Sequence, residues 1–155
     1  MSLAIHTSVD IDASPQKVWN LVMDPRHLES WVTTHEKVSG APARLSSGSS
    51  FEQTLRLAGK SFDVRWTVIE AEEPHFAEWR GDGPYGSRAR VRYELASLDG
   101  KRTRFGYENE FELPSGLLGR AAARVVGSAR VRREAERSLA NLKQVLQGRT
   151  GHGAA

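Results

Sequence analysis

The chain has 155 residues, 39% hydrophobic and 26% charged, with a formal charge of +3 and no cysteine. That length fits one domain with a buried core, and the composition excludes a disordered polymer, a disulfide-stapled scaffold and thiolate chemistry. No run approaches the ~20 apolar residues that span a bilayer, and Met1 to Asp10 lacks a basic stretch followed by an apolar one, so a cytoplasmic location is expected.

Leu3, Ile5, Thr7, Val9 and Ile11 alternate with more polar neighbours, which predicts a half-buried strand over 3–11. Ser14 and Pro15 form a helix start, the hydroxyl capping free amides and the proline standing where no amide hydrogen is needed. Val18, Trp19, Leu21 and Val22 supply that helix with an apolar face. Asp24 and Pro25 repeat the signal and open a second short helix through Leu28 to about Trp31.

From His35 the pattern is one of strands, with turns at 40–42, 46–49 and Gly59. Phe51, Leu55 and Leu57 share one face of one strand, and Phe62, Val64, Trp66 and Val68 share one face of the next. A shorter strand is predicted over 76–80, then a glycine-rich turn over 81–86 and a long strand from Ser87 to about Leu95. Asp99 and Gly100 mark the next reversal.

In that hairpin Ala89, Val91, Tyr93 and Leu95 face one way, as do Phe105, Tyr107, Asn109, Phe111 and Leu113 on the returning strand. Matching the two sets requires an odd loop, and Leu98, Asp99 and Gly100 provide one. The register then sets Arg88 against Glu110 and Arg90 against Glu108 on the outer face, each pair contributing roughly 0.2–1 kcal/mol.

After Pro114 the period becomes helical: Leu118, Ala121, Val125, Ser128, Val131, Ala135, Leu139, Leu142 and Leu146 form one stripe. Gly116, Gly119 and Gly127 weaken its first half by about 1 kcal/mol each relative to alanine, so that half is expected to bend or fray. Residues 134–147 should be firm. One domain over 1–147 and a disordered tail over 148–155 are expected. Helices gathered on one face of an antiparallel sheet make the chain an α+β protein.

The string Val9 Asp10 Ile11 Asp12 Ala13 Ser14 Pro15, then Val18 Trp19, Asp24 Pro25 and Trp31, resembles the opening of the helix-grip superfamily of START-like (SRPBCC) proteins. That group includes lipid-transfer START domains, plant pollen-allergen proteins and bacterial polyketide cyclases. Trp66 Thr67 Val68 with Glu70 and Pro74, and Ser138 Leu139 with Asn141 Leu142 Lys143, match its later features, so the resemblance covers nearly the whole chain. It implies a curved seven-stranded antiparallel sheet wrapped around a long C-terminal helix, two short helices after strand one, and a ligand cavity between sheet and helix.

Within the superfamily the chain looks most similar to the polyketide cyclase/dehydrase-like group. Aromatase/cyclase members of that group use an inward arginine with nearby hydroxyls. Here Val68 and Ile69 stand where that arginine would be sought, and Arg65 alternates onto the face opposite Phe62, Val64 and Trp66. Catalytic residues therefore stay unassigned.

Gly81, Gly83 and Gly86 spell G-x-G-x-x-G, but Pro84 interrupts it and a strand follows, where a dinucleotide site needs a helix N-terminus; it reads as a turn, and no cofactor is expected. His6, His27, His35, His75 and His152 show no ligand spacing, so no metal is expected.

Trp31, Trp66, Trp79, Tyr93 and Tyr107 are the pocket candidates, with plain core packing as the alternative. Asn109 joins them as the strongly polar member of an apolar run; it either bonds locally, the commoner outcome, or meets a ligand. Arg120, Arg124, Arg130, Arg132, Arg133 and Arg137 make the C-terminal segment basic, for which a solvated helix face is the ordinary explanation.

Three functions fit. The first is a binder or carrier of a hydrophobic small molecule, lipid or aromatic polyketide-like. The second is a polyketide cyclase or dehydratase acting in the same cavity, with Tyr93 or Tyr107 assisting proton transfer. The third is an interaction module that uses the basic helix against an anionic partner. No nucleic acid and no stable membrane insertion are expected.

Overall fold

A computed structural model describes residues 2–114, 116, 120 and 127–154. Within it the period-two segments form β1 (Ser2–Ile11), β2 (His35–Ser39), β3 (Ser50–Leu57), β4 (Lys60–Glu72), β5 (Phe76–Asp82), β6 (Arg88–Ser97) and β7 (Thr103–Glu112). They make one antiparallel sheet in the order β1-β7-β6-β5-β4-β3-β2. Every sequential pair from β2 onward is a neighbour, and β1 closes the sheet by pairing with β7, Ile5 opposite Asn109 and Thr7 opposite Tyr107.

Between β1 and β2 lie α1 (Pro15–Val22), a 3₁₀ turn over Pro25–His27 and α2 (Leu28–Trp31). Ser14 caps α1 by accepting from the Lys17 amide at 3.3 Å, and Asp24 caps the 3₁₀ turn by accepting from the Arg26 amide at 3.0 Å. Val18, Trp19, Leu21 and Val22 are buried, as their spacing requires.

The last element, α3, spans Ser128–Ala154 and packs along β1 and against α2. Val131, Ala135, Ser138, Leu139 and Leu142 form its buried stripe. Leu118, Ala121 and Val125, which the same stripe predicted for an earlier part of the helix, lie outside the described residues, as do Gly119, expected to weaken that part, and Arg124. Helical backbone continues past Gly148, where a disordered tail was expected to begin. The whole is a helix-grip α+β fold, with the core between the inner sheet face and the helices.

Two local expectations are corrected. In the β6–β7 hairpin Arg88 faces Glu112, Arg90 faces Glu110 and Arg92 faces Glu108, two residues away from the predicted register. The loop closes with the Leu98 amide donating to the Arg102 carbonyl at 3.0 Å, so Asp99 opens the turn. Its carboxylate accepts from the Lys101 and Arg102 amides at 3.0 and 2.9 Å, and the Ser97 hydroxyl accepts from the Gly100 amide at 2.9 Å. Those three bonds are unavailable one turn position earlier.

Gly81 and Asp82, expected in a turn, extend β5. Gly81 lies opposite Trp66, and a Cβ there would fall 2.6 Å from Val64 Cγ1 and 2.8 Å from the Trp66 ring. The glycine makes room for an indole that crosses onto its strand.

Candidate functional site

The alternation that buries one sheet face also stacks its aromatics across strands. Tyr93 on β6 sits directly opposite Tyr107 on β7, and Trp79 on β5 lies diagonal to both Tyr93 and Trp66. Ring centroids are 6.1 Å apart for Trp66 and Trp79, 5.2 Å for Trp79 and Tyr93, and 6.0 Å for Tyr93 and Tyr107. Trp31 reaches the same row from α2, 6.1 Å from Tyr93.

These rings wall a cavity of about 100 Å³ between the sheet, α2 and α3. All six residues singled out from the sequence, Trp31, Trp66, Trp79, Tyr93, Tyr107 and Asn109, line it. Leu55, Phe62, Trp66 and Phe111 also line a neighbouring groove of about 800 Å³ beside the β5–β6 turn, which gives the cavity a side open toward solvent.

The polar groups in the wall are few. Asn109 Nδ2 donates to the Tyr107 hydroxyl at 2.7 Å, while its Oδ1 has no partner. The indole N–H groups of Trp31 and Trp79 are likewise buried without partners. Trp66 differs, its Nε1 donating to Gln53 Oε1 at 2.9 Å, with Gln53 Nε2 2.9 Å from His35 Nδ1. Burial pushes the His35 pKa below its ordinary value, against the opposing charge of Glu29.

Burial also raises both phenols. Tyr93 is pushed well above its usual value, with Tyr107 adding to the effect. Tyr107 keeps some accessible surface, but dense packing around its hydroxyl pushes it up to about 12, the Asn109 hydrogen bond opposing. Both are protonated at neutral pH, so they can donate a hydrogen bond and cannot serve as bases there.

Glu134 is the charged side chain among the described lining residues. It sits at the α2–α3 seam, where Thr33 Oγ1 donates to Glu134 Oε2 and the Thr33 amide donates to Ser138 Oγ at 3.1 Å. Arg65 is exposed and 3.6 Å from Glu52, away from the inner cavity. Among the described residues no three His, Cys, Asp or Glu side chains gather as metal ligands. Among the basic residues of the helical segment, Arg130, Arg132 and Arg133 are exposed; Arg132 Nη1 donates to the His6 carbonyl at 3.3 Å and Arg137 lies 3.9 Å from Glu134.

Sequence reasoning passed over Gln53, Glu134 and Ser138. Gln53 was within reach of the period-two rule, since it falls between Phe51 and Leu55 on the face already marked as inward. Glu134 and Ser138 carry no such mark, because only the docking of α2 on α3 brings them to the wall.

The family described as polyketide cyclase / dehydrase and lipid transport matches residues 2–147. No curated protein is significantly similar to the chain in sequence. Among solved structures, the Zhui aromatase/cyclase from Streptomyces sp. R1128 superposes with a TM-score of 0.75 at 18% identity, over 97% of this chain and 96% of that one. The protein TTHA0849 from Thermus thermophilus gives 0.77 at 17% identity, over 94% and 98%. A START superfamily protein from Mycobacterium smegmatis gives 0.67 at 16% identity, over 96% and 97%. At these identities the likeness is one of fold. Among the described residues, no helix is long and apolar enough to cross a membrane.

Proposed function

The chain belongs to the polyketide cyclase / dehydrase and lipid transport family, and on that premise we propose that it binds a hydrophobic small molecule non-covalently between sheet and helix. The observation that carries this reading is the aromatic-walled cavity, whose buried wall keeps two indole donors and an amide oxygen unpaired. Most buried polar groups in protein interiors are paired, and three that are not, all on residues lining one cavity, support a site that a ligand completes.

Native mass spectrometry of the purified protein beside its denatured extract tests it. A stoichiometric small molecule that is lost on unfolding is the expected result. Failure to find one, together with no binding to a panel of lipids and aromatic polyketides, defeats the reading.

A second reading, cyclisation or dehydration in the same cavity, is favoured by the two phenols. Held protonated by burial, Tyr93 and Tyr107 would hydrogen-bond to the oxygen of a developing enolate, while any proton abstraction needs another base. Under this reading Tyr107→Phe abolishes turnover of a polyketide substrate and leaves its binding nearly unchanged. Under the carrier reading there is no turnover to lose.

A further inference from the structure

We propose that the part of the ligand held in this inner cavity is compact and neutral, one ring in size, with an oxygen acceptor for the indole N–H groups of Trp31 and Trp79 and a hydroxyl for the Asn109 amide. This rests on the binding reading above and narrows it in size, charge and polarity.

Size comes first. Drug-sized ligands occupy pockets of about 300–1,000 Å³, whereas a cavity of about 150 Å³ already admits benzene. The inner cavity here is about 100 Å³. A long acyl chain or a fused polycycle overfills it and would have to extend into the adjoining groove, and even a single ring enters only as side chains of the wall yield.

Charge comes second. Among the described lining residues there is no arginine, lysine or histidine to neutralise an anion, and the one charged group is the Glu134 carboxylate. Burying an unpaired carboxylate costs far more than burying a neutral ring. The part of the ligand held in the inner cavity is therefore neutral, the cations Lys60, Arg65 and Arg88 lying along the outer groove.

Polarity comes third. Trp31, Trp79 and Asn109 are 1%, 3% and 7% exposed, yet Trp31 Nε1, Trp79 Nε1 and Asn109 Oδ1 have no partner. An indole nitrogen only donates, so its missing partner is an acceptor such as a carbonyl or ether oxygen. The Asn109 amide can lie either way against the Tyr107 hydroxyl, which both donates and accepts, and either way one end of the amide stays free. A hydroxyl satisfies whichever end that is. The three atoms have almost no accessible surface in this conformation, so the guest reaches them by parting side chains of the wall.

The test is isothermal calorimetry at neutral pH with 4-hydroxyacetophenone, 4-methylacetophenone, 4-ethylphenol, 4-hydroxybenzoate and oleate. The first probe carries both polar groups, the second lacks the hydroxyl and the third the carbonyl. The second and third are expected to bind roughly tenfold more weakly than the first, the size of one buried hydrogen bond left unmade. The benzoate and oleate should bind more weakly still. In Asn109→Leu the preference for 4-hydroxyacetophenone over 4-methylacetophenone should disappear; should that variant not fold, the probe series on the native chain carries the test alone.

Equal binding of the three neutral rings overturns the polar assignment, tightest binding of the benzoate overturns neutrality, and tightest binding of oleate overturns the size. All three outcomes leave the binding reading standing. No binding by any probe overturns the proposal, and the co-purification measurement above then decides separately whether the binding reading survives.

Discussion

At the scale of single residues, the Trp66–Gln53–His35 chain is fixed by what each group can do. An indole can only donate, so Gln53 turns its oxygen to Trp66 and its amide nitrogen to His35, whose Nδ1 must then accept. That assignment requires a neutral imidazole with its proton on Nε2. Burial holds the folded pKa of His35 below 6.5, so as pH falls the unfolded chain takes up its proton first and stability drops through that region. Thermal melts between neutral pH and about 5.5 should show the decline, and His35→Asn, which keeps an accepting atom and does not titrate, should flatten it; identical slopes would refute the assignment. The carboxyls of Asp10, Asp24 and Asp99, held down chiefly by hydrogen bonds from Arg104, Arg26 and the Lys101 amide respectively, lose their contribution only as pH falls below 3.8, a separate window. Trp66→Phe strands the buried Gln53 oxygen and should cost about 1–3 kcal/mol in denaturant titrations, before any lost packing is counted.

At the scale of elements, the strands bearing the cavity wall are tied by contacts with little slack. Gly81→Ala pushes a methyl group into Val64 and the Trp66 ring. Such overpacking costs typically 1–3 kcal/mol, and an unchanged denaturation midpoint would show that the indole moves freely. Thr103, at the start of β7, is fully buried and donates its hydroxyl to the Ala13 carbonyl at 2.7 Å, fixing the exit from β1 against the sheet. Thr103→Val keeps the shape and removes the donor, so a loss of about 1–3 kcal/mol in chemical unfolding is expected. The outer face contributes less. Arg90 lies 2.7 Å from Glu110, both partly exposed and screened by solvent, whereas Arg92 lies 2.7 Å from the buried carboxylate of Glu78.

For the whole molecule, α3 decides whether the sheet closes over a cavity. Leu139 and Leu142 sit in the same core cluster as Trp31, Trp79 and Tyr93, so the helix and the aromatic row stabilise one another. Leu142→Ala should cost about 2–5 kcal/mol by calorimetry, and ligand binding should weaken with it, because the helix forms a wall. A ligand at about 100 times its dissociation constant adds about 2.7 kcal/mol of stability, so a thermal-shift screen can find it without an activity assay.

The sequence by itself determined where helices start and which residues of a strand share a face, Tyr107 with Asn109 among them, and it offered Trp31, Trp66, Trp79, Tyr93, Tyr107 and Asn109 as pocket candidates against plain core packing. Alternation and capping are local, and a side chain's face follows from its neighbours along the chain. The tertiary structure alone decided the rest. A hairpin shifted by two residues keeps every face, so periodicity could not separate Arg88 opposite Glu110 from Arg88 opposite Glu112. Gly81 read as a turn because the indole that needs its space comes from another strand. Asn109 was expected to bond locally or to meet a ligand, and its amide does bond locally, to Tyr107, while keeping one end free. Cavity volume is a small remainder left by many packed side chains, and unpaired atoms are defined by partners brought in from distant segments; neither is written at any single position of the chain.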